Sequence, residues 1–155
     1  LERDKMASED EALRRLAVEL QILEGTAEAL QSRINLVSAA ITELTVANAT
    51  LEGLEKEGKG APLFVPIGGG SYVKASLESV DTVIVGIGAG VAVERTIKEA
   101  RENLENRVAE LEKTRDTLRQ QLSQVIEKIR EGRSKFQELS ASMSEKERAK
   151  PVRKT

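Results

Sequence analysis

The chain has 155 residues with 24 Lys and Arg against 26 Asp and Glu, a net charge of −2 that offers no electrostatic footprint for nucleic acid. Ala, Leu, Glu, Lys and Arg supply about half of the residues and only Phe64, Tyr72 and Phe136 are aromatic, which argues against a compact aromatic-cored globule and for long helices. With no His and no Cys there is no imidazole base, thiolate nucleophile, disulfide or common zinc ligand.

Residues 1–8 are expected to be a flexible N-terminus or a remnant of expression, because Leu1 is no natural initiator and five residues precede Met6. Residues 9–57 are predicted as a first helix. Leu13, Leu16, Leu20, Leu23, Ala27, Leu30, Ile34, Val37, Ile41, Leu44, Asn48 and Leu51 recur in alternating steps of three and four, the signature of a coiled-coil seam. Ser8 and Glu11 have capping-box spacing at its start, and Gly58, Gly60 and Pro62 stop it. At 1.5 Å per residue such a helix is about 70 Å long.

Residues 58–94 change pattern. Leu63 to Ile67, Gly68-Gly69-Gly70 and Ser71 to Leu77 read as strand, turn, strand. Val80 to Val85, a turn containing Gly86, Gly88 and Gly90, and Val91 to Glu94 read as a second hairpin. Residues 95–147 form the second predicted helix, with a seam of Leu104, Val108, Leu111, Arg115, Leu118, Leu122, Val125, Ile129, Gly132, Phe136, Leu139 and Met143. Ile97 joins it through either Ala100 or Arg101, and Arg115 and Gly132 are flaws in it. The polar stretch 148–155 is expected to be disordered.

Two long helices joined by a compact insert can pair antiparallel, with apolar positions facing one another where residue numbers sum to roughly 149. The fold class is α+β: a long antiparallel two-helix coiled coil with two central β-hairpins. Isolated hairpins are marginal in water and their edges are sticky. Leu63, Val65, Ile67, Val73, Leu77, Val83, Val85, Val91 and Val93 therefore need cover that one copy does not provide, and the hairpins are expected to join other subunits in a shared barrel or sheet.

Motifs for chemistry fail on spacing. Gly86-Ile87-Gly88-Ala89-Gly90-Val91 lacks the third glycine of the dinucleotide fingerprint, and Gly58-Lys59-Gly60 lacks the P-loop pattern. Asn48-Ala49-Thr50 matches a glycosylation acceptor, but Asn48 occupies the seam, where a polar residue fixes register. Scattered glutamates such as Glu105 and Glu112 read as a solvated face. No catalytic residue, cofactor site or metal site is expected. No uninterrupted apolar run of about 18 residues marks a membrane span, and no signal peptide is readable.

At the free end of the helix pair, Leu13, Leu16 and Leu20 face Phe136, Leu139 and Met143. Closing the coil is their plain role. Fraying terminal turns would also expose these flexible side chains to grip apolar segments without fixed geometry.

Val65 to Lys74 meets a V-P-[IV]-G-x-G-[ST]-[FY]-[VL]-K signature, and Val85 to Glu94 a V-G-x-G-x-G-x-x-[VI]-E turn. From about Glu9 to Glu147 the chain resembles the α type of the archaeal prefoldin family, whose β type has a single hairpin. The resemblance implies a cytoplasmic hetero-hexamer of two α and four β subunits, with a β-barrel body and coiled-coil tentacles. It implies an ATP-independent holdase that binds unfolded polypeptides at the tentacle tips and passes them to a group II chaperonin. A scaffolding coiled coil or filament subunit without client binding is the alternative, and a nucleotide-dependent enzyme using the Gly86 loop is a distant third.

Overall fold

The computed structural model describes residues 1–151. Along the chain run α1 (Glu2–Glu57), β1 (Pro62–Gly68), β2 (Ser71–Ser76), β3 (Thr82–Gly88), β4 (Val91–Thr96) and α2 (Ile97–Arg148). Two long antiparallel helices pack together and two β-hairpins stand between them in sequence, as the sequence predicts. The chain divides into two compact units: the first holds the helix segments up to Asn35 and from Asp116, the second Leu36–Arg115 with both hairpins.

Helix ends differ from the expected ones in instructive ways. α1 starts at Glu2, so residues 2–8 are helical rather than a flexible arm, and Ser8 lies inside the helix. Glu2 and Asp4 in the first turn oppose the positive end of the helix dipole and support the early start. At the other end the Gly58 N–H donates to the Leu54 carbonyl (3.0 Å) with Gly58 at φ 79°, a left-handed cap that glycine takes without strain. α2 is capped by a reciprocal box: the Glu99 N–H donates to Thr96 Oγ1 (3.1 Å) and the Thr96 N–H to Glu99 Oε2 (3.3 Å). Strand β4 therefore hands over to helix at residue 97, two residues later than expected. α2 runs to Arg148, and the Ala149 N–H donates to the Glu145 carbonyl (3.0 Å) and the Lys150 N–H to the Glu147 carbonyl (3.4 Å), so the stretch expected to be disordered starts as a helix end and turn; its remainder, 152–155, lies outside the described residues.

The core is a seam. In the first unit Leu30, Ile34, Leu118 and Ile129 are buried, and in the second Ile41, Ala61, Ile97 and Ala100. Leu118, the best-covered large side chain, still keeps 4% of its surface exposed. That is the economy of two helices touching along one stripe, where each knob is open to water on its flanks. α1 is also apolar off the seam, with Val18, Ile22, Leu36 and Val46 exposed. One stretch of α1 is long and apolar enough to cross a membrane by composition, although no uninterrupted apolar run does so.

The hairpins are structural duplicates at a spacing of 20 residues. β1 and β2 pair antiparallel with Val65 opposite Val73 and Pro66 opposite Tyr72; β3 and β4 pair with Val85 opposite Val93 and Gly86 opposite Ala92. Both ladders slip at the same place, between Pro66 and Gly68 and between Gly86 and Gly88. Both turns use three successive left-handed residues, Gly68-Gly69-Gly70 and Gly88-Ala89-Gly90. They form separate two-stranded sheets. A backbone bond from the Gly60 N–H to the Leu77 carbonyl (2.7 Å) and one from the Leu77 N–H to the Ala61 carbonyl (2.9 Å) tie the base of the first hairpin to the end of α1.

Candidate functional site

In the first unit, Leu13, Leu16, Leu20, Phe136, Leu139 and Met143 are all half-buried, so the structure sets them on the seam with part of each side chain in water. The helices come close here because Gly132 has no side chain. A Cβ at residue 132 would lie 2.8 Å from Leu20 Cδ2 and 3.8 Å from Leu16 Cδ1. The expected flaw is thus a socket for Leu20. Ion pairs flank the seam: Arg133 to Glu24 Oε1 at 2.7 Å and Lys146 to Glu9 Oε1 at 2.6 Å. These hold the two helix ends together without covering the apolar stripe between them.

Two residues of this unit escaped the sequence reading. Val18 is 55% exposed and Ile22 64%, and with Arg14, Arg15, Glu19 and Leu23 they line an open hollow on the outer face of α1. Their signal was an i, i+4 apolar pair outside the seam series.

In the second unit the seam contains a polar clamp. Arg101 Nε donates to Asn48 Oδ1 (3.0 Å), and the same guanidinium lies 3.6 Å from Glu52 and 4.0 Å from Glu55. Asn48 and Arg101 sum to the expected 149, so Asn48 takes the register-fixing place the sequence suggests. Ile97 and Ala100 are buried, which settles the ambiguous entry of α2: Ala100 enters the seam and Arg101 reaches across to Asn48. Glu52 is held below its ordinary carboxylate value by the hydrogen bond from Lys56, then by the charges of Lys56 and Arg101. Arg115 is half-buried with its Nε buried and without a hydrogen-bond partner.

The hairpin residues expected to need cover divide into two groups. Val65, Ile67, Val73 and Val91 are exposed, whereas Leu63, Leu77, Val83, Val85 and Val93 are half-buried within the chain. Val85 and Val93, with Ile87 and Arg95, share a shallow hollow with Glu99, Ala100 and Asn103 at the start of α2. The helix base shields that face in part. The opposite face, which the sequence reading left aside, is bare: Phe64, Tyr72 and Ile84 are all exposed.

A long antiparallel helix pair carrying duplicated β-ribbons with naked apolar surface defines a coiled-coil assembly subunit, built for contacts rather than catalysis. The family is shown by comparison: the model described as "Prefoldin subunit" matches residues 23–142, and the chain belongs to the prefoldin family of non-enzymatic coiled-coil chaperones. The chain is 34% identical over 140 residues to prefoldin subunit alpha of Pyrococcus horikoshii, covering 90% of this chain and 95% of that one. It is 39% identical over 110 residues to prefoldin subunit alpha of Methanopyrus kandleri, covering 71% and 70%. Among solved structures it is similar to a filamentous PFD of Methanocaldococcus jannaschii, with TM-score 0.65, 28% identity, and coverage of 72% of this chain and 93% of that one.

Proposed function

We propose that this chain is the α subunit of a cytoplasmic, ATP-independent holdase that joins β subunits through its hairpins and binds non-native polypeptides at its helix ends. Family membership gives the chaperone role. The finer reading rests on one observation: apolar side chains are exposed at both places where contacts are needed, the hairpins and the helix-end unit. Hairpins that leave Phe64, Val65, Ile67, Tyr72 and Val73 in water are marginal alone, and strands from several chains closing a barrel remove both the edges and the exposure. Two α and four β subunits is the stoichiometry that the resemblance supplies.

Client binding is assigned to Leu13, Leu16, Leu20, Phe136, Leu139 and Met143, which fraying uncovers, and to Val18 and Ile22, which are uncovered already. Many weak apolar contacts from several subunits give avidity with rapid release, suited to handing a client to a group II chaperonin. The test is aggregation of a chemically denatured enzyme diluted into the assembled α–β complex without nucleotide. The complex suppresses turbidity, and Leu139→Ser with Met143→Ser weakens suppression while the assembly keeps its mass. Undiminished suppression by that double variant overturns tip binding.

The filamentous relative favours a second reading, a filament subunit without client binding. It predicts fibres of the chain alone in electron micrographs and no delay of aggregation.

A further inference from the structure

In the first unit α1 carries a second regular stripe besides the seam. Arg15, Val18, Ile22, Gly25, Ala29 and Ser32 follow one another in steps of three and four, each two positions on from a seam residue. That offset puts them on the far side of the helix from α2, and all six are exposed. Outward positions of a helix pair are ordinarily polar or charged. Those of α2 obey, with Gln124, Glu127, Glu131 and Glu138 exposed at the same phase. The stripe on α1 carries no charge from Val18 to Ser32, and Val18 and Ile22 are both more than half exposed.

Gly25 is the residue in need of a reason. It lies in mid-helix without a left-handed φ, and a Cβ built on it meets nothing within 4 Å. Glycine weakens a helix against alanine, and neither the backbone nor a neighbour in the chain calls for it here. What it does permit is close approach from outside.

We propose that this face pairs antiparallel with the same face of a second copy of the chain, Ile22 of each seating over Gly25 of the other. In that register Val18 lies over Ala29 and Arg15 over Ser32, so every layer sets a larger side chain against a small one. That alternation lets two helices interdigitate closely. A slip of one heptad sets Ile22 over Val18 in one direction and Gly25 over Ala29 in the other, and the match is lost. A parallel pair stacks like on like.

The edges of the stripe fit the same partner. Arg14 and Glu28 border it on one side and Glu19 and Arg33 on the other, all exposed. Antiparallel pairing brings Arg14 of one copy diagonally toward Glu28 of the other, and Glu19 toward Arg33. Arg14 already pairs with Asp10 at 3.1 Å, whereas Glu19, Glu28 and Arg33 have no ion pair among the described residues. These charges also match in a parallel pair, so the direction rests on the packing. The occupant is a second copy because knob and hollow, cation and anion, all lie on this one face. Paired copies cover Val18 and Ile22 and are closed to clients there; this last step rests on the client-binding reading, and the pairing itself does not.

The chain has no Cys, so disulfides report the contact cleanly. Complete chains carrying Val18→Cys and Ala29→Cys, one with a mass tag, are mixed, alone and with β subunits, and oxidised in air. The mixed disulfide is the expected product. Either variant alone gives little, because its two thiols then lie about 16 Å apart along the axis, beyond disulfide reach. Gly25→Leu in both chains fills the hollow at an open position, circular dichroism confirms the helix, and the mixed product falls about tenfold. Arg33→Glu in both chains also lowers it, and Glu19→Arg with Arg33→Glu restores it. Absence of the mixed product, equal yield of the Val18→Cys homodisulfide, or a mixed product that Gly25→Leu leaves at the parent level overturns the pairing. The turbidity assay tests the closure: the disulfide-locked sample is expected to suppress aggregation less than the same sample after reduction. Equal suppression overturns the closure and leaves tip binding to its own test with Leu139→Ser and Met143→Ser.

Discussion

Gly132 shows how a residue's meaning depends on its neighbour across the seam. In an isolated helix, alanine in place of glycine is worth about 1 kcal/mol. Here the added methyl meets Leu20 Cδ2 at 2.8 Å, the movable end of a side chain. Gly132→Ala is therefore expected to leave stability within about 1 kcal/mol of the parent, the propensity gain offsetting the displacement of Leu20. Gly132→Leu has no such escape and is expected to cost about 1–3 kcal/mol by overpacking, read as a lower midpoint in thermal denaturation. Arg115 behaves oppositely. Its buried Nε has no hydrogen-bond partner, and leaving a donor so costs about 1–3 kcal/mol, so Arg115→Leu is expected to raise the midpoint. A lower midpoint would contradict that account of the arginine. Glu52 is shifted downwards, so its charged form is favoured by folding. A lowered carboxylate stabilises the fold at neutral pH, and that contribution is lost as pH falls below the ordinary carboxylate range and through its lowered value. Glu52→Gln should lower the midpoint slightly at pH 7, leave it unchanged well below the carboxylate range, and so flatten the acid limb of the midpoint-versus-pH curve by a small amount.

The elements were legible in the sequence to different depths. The seam series, with its upstream entry at Ile97, contains every buried residue on both helices, and only the choice of Ala100 over Arg101 is left open by it, because a stripe repeated over many heptads leaves little freedom of interpretation. The strand pairs followed from glycine spacing. What stayed hidden were the helix ends and the second hairpin face. Ser8 with Glu11 has the spacing of a capping box but lies in mid-helix, whereas Thr96 with Glu99, the box that is used, was passed over because the strand pattern runs into it. Thr96→Ala removes the reciprocal cap and is expected to cost about 1 kcal/mol. An unchanged thermal midpoint in that variant would mean that the strand, not the cap, starts the helix. The outer face of the hairpins is not legible in the strand pattern, because period-two alternation singles out one apolar face per strand. Both faces here are apolar, the pattern of strands covered on both sides.

At the scale of the molecule, a chain with so thin a core depends on what covers its hairpins. In each unit the helix segments share an apolar seam, flanked in the first by cross-helix ion pairs, and the ribbons of the second have exposed Phe64, Ile67, Tyr72, Ile84 and Ile87. The candidate contact residues were readable as a list from the sequence, but their sorting was not. Burial by the base of α2 sets Val85 and Val93 apart from the exposed Val65 and Val73, a distinction that depends on where the helix start lies against its hairpin. The central claim is that the hairpins cannot be shielded by one copy, and sedimentation of the complete chain at low micromolar concentration, alone and with a β subunit, tests it most directly. Oligomers well above 16.9 kDa that dissociate in Val65→Asp are the predicted result. A stable, fully folded species of 16.9 kDa under both conditions would contradict it.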